Sequence, residues 1–299
     1  MSTIAFLDVS RRFLSGYDPG FQTLVSSWIS LMFIVVIICF IVSELTRNYS
    51  QVDKLWSLLP PAYSWMTVAA FPTARTVIMA LLVTLWGLRL SYNFYRKGGY
   101  SIIPWQGEED YRWKILRESN ALRGRLRFGL FNLLFISLYQ NIIILLFTTP
   151  ILMTALHPGK PFTITDIAAA ILMLAFIITE TVADNQQFRF QTMKRSEQSD
   201  AEMFRDSLKR GFLREGLWKF VRHPNFASEQ AVWISFYLFS VAVSGRWINF
   251  TLLGPVLLVI LFIGSSIMTE QISSSKYPEY STYQKEVPKF IPRIFRNRD

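Results

Sequence analysis

Runs of about twenty apolar residues recur along this chain, and each is long enough to cross the hydrocarbon layer of a bilayer. Inside lipid a backbone must satisfy its own N–H and C=O groups, which for runs of this length leaves an all-α, polytopic membrane helical bundle. About seven transmembrane helices are expected, at about 24–45, 56–71, 75–95, 128–149, 163–183, 227–244 and 250–269. Pro60 and Pro61 interrupt the second run, which reads equally as a re-entrant piece. Pro150 would kink a fourth span that then reaches Leu156. Composition agrees: the 299 residues are 51% hydrophobic and 15% aromatic, more apolar surface than a soluble domain needs.

The net charge of +10 would suit nucleic acid if it were gathered on a soluble domain, but it collects between the spans. With the N-terminus outside and the crossings alternating, 25 of the 31 Lys and Arg residues fall on the cytosolic side and five on the other, with Arg89 inside the third span. That is a positive-inside pattern, and it is read here as supporting an odd number of spans with a cytosolic C-terminus. It points to membrane topology and an anionic ligand, and away from nucleic acid. Cys39 is the single cysteine, and His157 and His223 are the only histidines, so no disulfide within the chain and no metal site is expected. The first 20 residues carry Asp8, Arg11, Arg12 and Asp18 without an apolar core, unlike a cleavable signal peptide. A single integral membrane domain over 1–299 is expected, with cytosolic loops at 96–127 and 184–222 and a tail from Ser273.

Chemistry concentrates where a basic segment meets an apolar helix, in Gly-Leu-Trp-Lys-Phe-Val-Arg-His-Pro-Asn-Phe-Ala-Ser-Glu-Gln-Ala-Val-Trp from Gly216 to Trp233. Pro224 suits a helix first turn because its missing N–H would have had no partner there. His223 then sits at the cap with Arg222 just outside, and the free N–H groups and helix dipole favour an anion. Asn225 and Glu229 share one face, which Trp233 continues. A carboxylate at the edge of a long apolar run is costly, so Glu229 is a candidate functional group. The alternative is that Arg222 and His223 anchor at the interface and Glu229 pairs with a neighbouring helix.

Four other stretches carry polar groups at helical spacing. Asp53 and Trp56 would lie side by side before the second span, as a substrate contact or an aromatic-belt anchor. Trp86, Arg89, Asn93 and Arg96 form one stripe along an apolar helix, facing inward or snorkelling. Glu180, Asp184 and Gln187 share a face where the fifth span ends, with Asn185 and Arg189 on the next, as a polar vestibule or a solvated helix end. Glu270 follows the last span, and Tyr277, Tyr280 and Tyr283 recur every three residues, an edge that would stack on a planar ring or on the bilayer interface.

The Gly216–Glu229 element with its His-Pro-Asn-x-x-x-Glu core, the Tyr277…Tyr283…Val-Pro…Ile-Pro292 tail and the Asp184…Arg189 exit resemble the steroid 5α-reductase superfamily. The branch most similar is that of the DUF1295-type reductase-like membrane proteins. Asn48…Val52-Asp53…Trp56 and Trp86-Gly-Leu-Arg89-Leu look like that branch too, so the likeness covers most of 48–295. It implies a seven-helix fold that holds NADPH in a cytosol-facing cavity of the later spans and passes hydride to a carbon–carbon double bond of a lipid or steroid-like substrate. Residues 1–127 would then be the substrate side and 128–299 the cofactor half. On the resemblance, Asn225 and Glu229 match the cofactor-contacting Asn and acid. Asp184, Gln187 and Arg189 match nucleotide contacts, and Glu270, Tyr277 and Tyr283 match the lid and phosphate-binding end. Arg222 and His223 join them as the cationic helix start. In steroid reductases a Glu and a Tyr on the early spans polarise the substrate carbonyl. Asp53 would replace the Glu, but Trp86 stands at the Tyr position, and an indole cannot deliver a phenolic proton. Tyr92 or Tyr63 would have to substitute, so the expected catalytic set is Asp53, Trp86 and Tyr92.

Two other functions fit the same features. Membrane methyltransferases that use S-adenosylmethionine, of the isoprenylcysteine carboxyl type, also carry an Arg-His-Pro and a tyrosine-rich tail. A lipid or sterol sensor could keep the fold without the chemistry. The long multi-span layout suits the endoplasmic reticulum, or the inner membrane of a bacterium, and implies the bilayer and a lipid-like small molecule as partners, with no obligatory protein partner.

Overall fold

The computed structural model describes residues 16–103, 105–196 and 204–293, and among these it is helical without strands. The reading of the first 20 residues therefore falls largely outside the described residues. In chain order the helices are α1 (Pro19–Thr46), α2 (Gln51–Leu55), α3 (Leu59–Ala70), α4 (Ala74–Arg96), α5 (Tyr111–Glu118) and α6 (Arg125–Phe131). A π-helical stretch, Asn132–Tyr139, joins α6 to α7 (Gln140–Thr148), and α8 (Pro150–Ala155) follows after Thr149. Then come α9 (Ile164–Arg195), α10 (Arg205–Arg210), a 3₁₀ turn at Gly216–Lys219, α11 (Pro224–Ser244), α12 (Leu253–Lys276) and α13 (Tyr280–Glu286).

Among the described residues, six helical stretches are long and apolar enough to cross a membrane: Pro19–Thr46, Ala74–Arg96, Arg125–Ala155, Ile164–Arg195, Pro224–Ser244 and Phe250–Lys276. That is one fewer than the seven expected. The difference lies at Pro60 and Pro61, which sit in the first turn of α3. With 12 residues, α3 is only about 18 Å long, short of the roughly 30 Å hydrocarbon thickness. The segment nonetheless runs the length of its neighbours. Phe71 packs against Phe21 at the start of α1 (ring centroids 6.2 Å), Tyr63 against Trp28 (4.7 Å), and α2 against the far part of α1. On the α4 side, Trp65 bonds Thr84 at 3.0 Å, Ser91 bonds Ser57 at 2.7 Å, and Tyr100 donates to the Lys54 carbonyl at 2.7 Å. Residues 51–71 are therefore a broken helix lying antiparallel to both α1 and α4. Gly87 makes this approach possible, because a Cβ there would lie 2.5 Å from the Ser57 carbonyl oxygen.

Alternating only the six long helices gives the same division of 25 to five, with Arg11 and Arg12 exchanged for Arg47 and Lys54. Counting charges thus does not favour an odd number of passages.

Chain contacts divide the protein into two compact units, one of residues up to Asp166 with Tyr237–Gly254, the other of Ile167–Phe236 with the chain from Pro255 on. In the first unit, Arg75 at the start of α4 bonds Asp166 through two nitrogens (2.7 and 2.9 Å) and caps the Lys160 and Pro161 carbonyls. Asp166 also accepts from the Thr163 N–H and hydroxyl, so this buried pair is satisfied on both sides. In the second unit, α9 continues past the apolar run that ends near residue 183. The extra turns carry Asp184 to Arg195, and Phe190, Phe204, Leu213 and Trp218 form a core beneath them.

Candidate functional site

In the second unit the site is built from the last turns of α9, the first turns of α11 and the tail after α12. Pro224 opens α11 as its residue type demands, and the Ala227 N–H closes the first turn on the His223 carbonyl. Glu180 and Asp184 on α9 are buried, as is Glu229 on α11. Asn225 Nδ2 donates to Asp184 Oδ1 at 3.3 Å, and Trp233 Nε1 donates to Glu229 Oε1 at 3.0 Å. The expected common face of Asn225, Glu229 and Trp233 is thus formed, and it meets the expected α9 face at Asp184. Two acceptors in this neighbourhood, Asn225 Oδ1 and Gln187 Oε1, are buried without any hydrogen-bond partner among the described residues. An unpaired buried amide oxygen costs about 1–3 kcal/mol, so it is kept only for a reason. Arg189 and Arg195, further along α9, are exposed.

A second cluster sits around Glu270, near the end of α12. Arg222 Nε donates to Glu270 Oε1 at 2.8 Å, His223 Nε2 meets the same oxygen at 2.9 Å, and Gln284 Nε2 donates to Oε2 at 3.1 Å. Lys289 Nζ lies 3.6 Å from Oε2. Arg222 Nη1 also donates to the Gln284 and Val287 carbonyls, and its backbone N–H donates to the Pro288 carbonyl. Arg222, His223 and Glu270 are therefore buried in a latch that holds the tail on the start of α11. Sequence reasoning placed Arg222 and His223 at an open, anion-attracting helix start; their donors are committed to Glu270 and to tail carbonyls. Gln284 and Lys289 were missed, because no spacing rule links them to Arg222 across more than sixty positions.

The tail tyrosines are likewise occupied. Tyr277, Tyr280 and Tyr283 surround Phe212 with ring centroids 6.0, 5.1 and 5.3 Å away, so their edge stacks on the protein's own ring. The Tyr283 hydroxyl donates to the Trp218 carbonyl at 2.5 Å, and burial pushes its pKa upward. Tyr277 accepts from Lys194 Nζ at 2.7 Å; burial would raise its pKa, but the Lys194 hydrogen bond and charge bring it below the ordinary phenol value. Gly211, at φ +83°, leaves room for this ring: a Cβ there would sit 2.5 Å from Tyr277 Cε1.

In the first unit the expected catalytic residues have separate surroundings. Asp53 finds an indole partner, but it is Trp113, whose Nε1 donates to Asp53 Oδ2 at 2.8 Å; Trp56 bonds Gln140 instead. Burial raises the Asp53 pKa and nearby Asp110 adds to this, while Arg112 pulls it down. Arg112 itself grips Asp110 through two nitrogens (2.9 and 2.7 Å). Trp86 is fully buried, whereas Tyr92 is 63% exposed beneath the Arg96 guanidinium. Tyr63 is fully buried, with a hydroxyl that has no partner among the described residues. The stripe from Trp86 does turn inward at Asn93, which is buried and accepts from Arg96.

Residues 39–287 match the model of a family described as "Protein of unknown function (DUF1295)". The uncharacterized protein C594.04c of Schizosaccharomyces pombe is similar as well, 37% identical over 276 residues that cover 88% of this chain and 78% of that one. No solved structure matches. The matched region contains both polar clusters of the second unit except for Pro288 and the chain beyond it, and the chain belongs to the DUF1295 family.

Proposed function

We propose that this membrane protein is an NADPH-dependent reductase acting on a carbon–carbon double bond of a lipid or steroid-like molecule. The observation that carries the reading is the pair of buried, unpartnered amide oxygens on Asn225 and Gln187, beside the Asp184–Asn225 hydrogen bond. Acceptors left open in a dry site call for a ligand with N–H donors, and the carboxamide of a nicotinamide has two. Asn225, Gln187, Asp184 and Glu229 would hold that end, and the exposed Arg189 and Arg195 would meet the phosphates. When bound, the coenzyme supplies the hydride. The protein's own contribution is to orient the ring through fixed acceptors and to exclude water with the apolar flanks of α9 and α11. The Glu270 latch supports the site from behind, keeping the tail on the start of α11.

The basic stretches 96–127 and 184–222 and the tail are read as cytosolic, with the N-terminus on the opposite side and the endoplasmic reticulum as the host membrane. A second reading, nucleotide binding without turnover, is favoured by one observation: Trp86 is sealed in the core while Tyr92 faces outward, leaving no phenol beside it on α4.

The test is thermal unfolding of the detergent-solubilised protein with NADPH, NADH or S-adenosylmethionine. Stabilisation by NADPH that is lost in Asn225→Ala supports the proposal. Stabilisation by S-adenosylmethionine alone replaces it with the methyltransferase reading. NADPH binding with no oxidation of the coenzyme in lipid extracts selects the silent relative.

A further inference from the structure

In the first unit, α1 and the first turns of α6 enclose an open groove of about 410 Å³, within the range of sites that hold small molecules. Phe40 of α1 and Leu126, Leu130 and Leu133 across from it give apolar walls. Gly129 keeps the groove open, since a Cβ there would meet nothing nearer than Glu44 Oε1 at 3.8 Å. Both walls belong to membrane-spanning helices, so hydrocarbon chains are the solvent that competes for this space.

Arg125 lines the same groove, and Arg123 and Arg127 flank it in sequence. All three are exposed, and among the described residues none has an ion-pair or side-chain hydrogen-bond partner. Other arginines of this unit are engaged: Arg112 on Asp110, Arg117 over the rings of Tyr49 and Phe128, and Arg47 at 3.7 Å from Glu44. Glu44 also borders the groove, but its Oε1 accepts from Asn132 at 3.0 Å and its Oε2 faces Arg47, so its charge is already answered. The groove thus offers unanswered positive charge next to an apolar trough. A zwitterionic headgroup would bring an ammonium with no free acceptor to meet it.

We propose that this groove is a binding site for one anionic glycerophospholipid, its acyl chain along Phe40, Leu126, Leu130 and Leu133 and its phosphate on Arg125. The site is independent of the nucleotide reading. Guanidinium forks suit phosphate oxygens, and each basic group near a lipid phosphate strengthens binding about five-fold.

The experiment uses the full-length protein in detergent, with native mass spectrometry and thermal unfolding in phosphatidylglycerol, phosphatidylcholine or glycerol 3-phosphate. One phosphatidylglycerol should be retained and raise the melting temperature, while phosphatidylcholine and the chain-free phosphate should do neither. Arg125→Gln should weaken retention by about five-fold. Gly129→Leu places a side chain in the trough, leaves the arginines untouched and favours the helix, so it should melt normally without lipid and retain none. Equal retention of phosphatidylcholine, an equal effect of glycerol 3-phosphate, or undiminished retention by Gly129→Leu would overturn the proposal.

Discussion

Two polar clusters of the second unit are finished in opposite ways. Around Glu270 both carboxylate oxygens are bound, and Arg222 commits Nε and both terminal nitrogens to Glu270 and to the Gln284 and Val287 carbonyls. Around Asp184 the amide oxygens of Asn225 and Gln187 are buried and unbound. A satisfied network in a low-dielectric setting holds a fold together, whereas an unsatisfied one costs stability until something binds it. The resemblance to reductases gathered Arg222, His223, Glu270 and Tyr283 with Asn225 and Gln187 as one cofactor site. Geometry separates them into a latch that the protein uses on itself and a smaller group with capacity left over.

Removing Glu270 should break the latch with the largest effect. Glu270→Ala leaves Arg222 buried beside an empty space, and loss of one partner from a buried charged network costs about 3–5 kcal/mol. A large drop in melting temperature, with the tail becoming protease-sensitive at Lys285 or Lys289, is expected. A melting temperature within a degree or two of the parent would show that the latch contributes nothing. Gly211→Ala tests the same latch from its rim: the new Cβ would meet the Tyr277 ring in a left-handed backbone, costing about 1–3 kcal/mol. Its unfolding should shift in the same direction but less.

Much of this arrangement was legible beforehand. Span positions followed from apolar run length, and Pro224 marked the start of α11 because proline fits only a first turn. The α9 and α11 faces followed from four-residue spacing, since helix geometry alone places Asn225 by Glu229 and Glu180 by Asp184. What run length could not show is that 51–71 is a broken helix lying along α1 and α4, because that depends on Gly87 admitting the Ser57 carbonyl. Nor could spacing reveal that Asp53 bonds Trp113 rather than Trp56: α2 lasts only five residues, and the partner comes from α5, sixty positions on. The tyrosine edge was read correctly as a period, but the ring it stacks on, Phe212, lies in a separate stretch of sequence.

The unsatisfied side of the comparison predicts a gain where the latch predicts a loss. Gln187→Met removes a buried, unbound amide oxygen and keeps the side-chain volume. Stability without ligand should hold or rise, by at most about 1 kcal/mol. The same change should reduce the melting shift given by NADPH. If the variant loses stability and keeps the full NADPH shift, Gln187 has a structural partner and the cluster is no different in kind from the latch.

Asp53 gives the smallest effect and places a third case between the two. Its carboxylate is bonded to Trp113, yet burial and the neighbouring Asp110 still hold its pKa above the ordinary carboxylate value. A folded-state value above the unfolded one means the folded protein favours the proton. The contribution of Asp53 is therefore full below its unfolded pKa and is lost as pH rises through the raised folded value. Asp110 acts in the opposite sense: burial alone would raise it, but Arg112 outweighs this and holds it low, so its contribution is present above the unfolded value and lost as pH falls. In Asp53→Asn the decline on the alkaline side of the carboxylate range should disappear, while the acid-side loss from Asp110 remains. Melting temperatures of parent and variant across a mildly acidic to neutral pH series read this directly. An unchanged alkaline-side slope in the variant would mean that Asp53 is fully answered by Trp113, as Glu270 is by its partners, and holds no proton that a reaction could use.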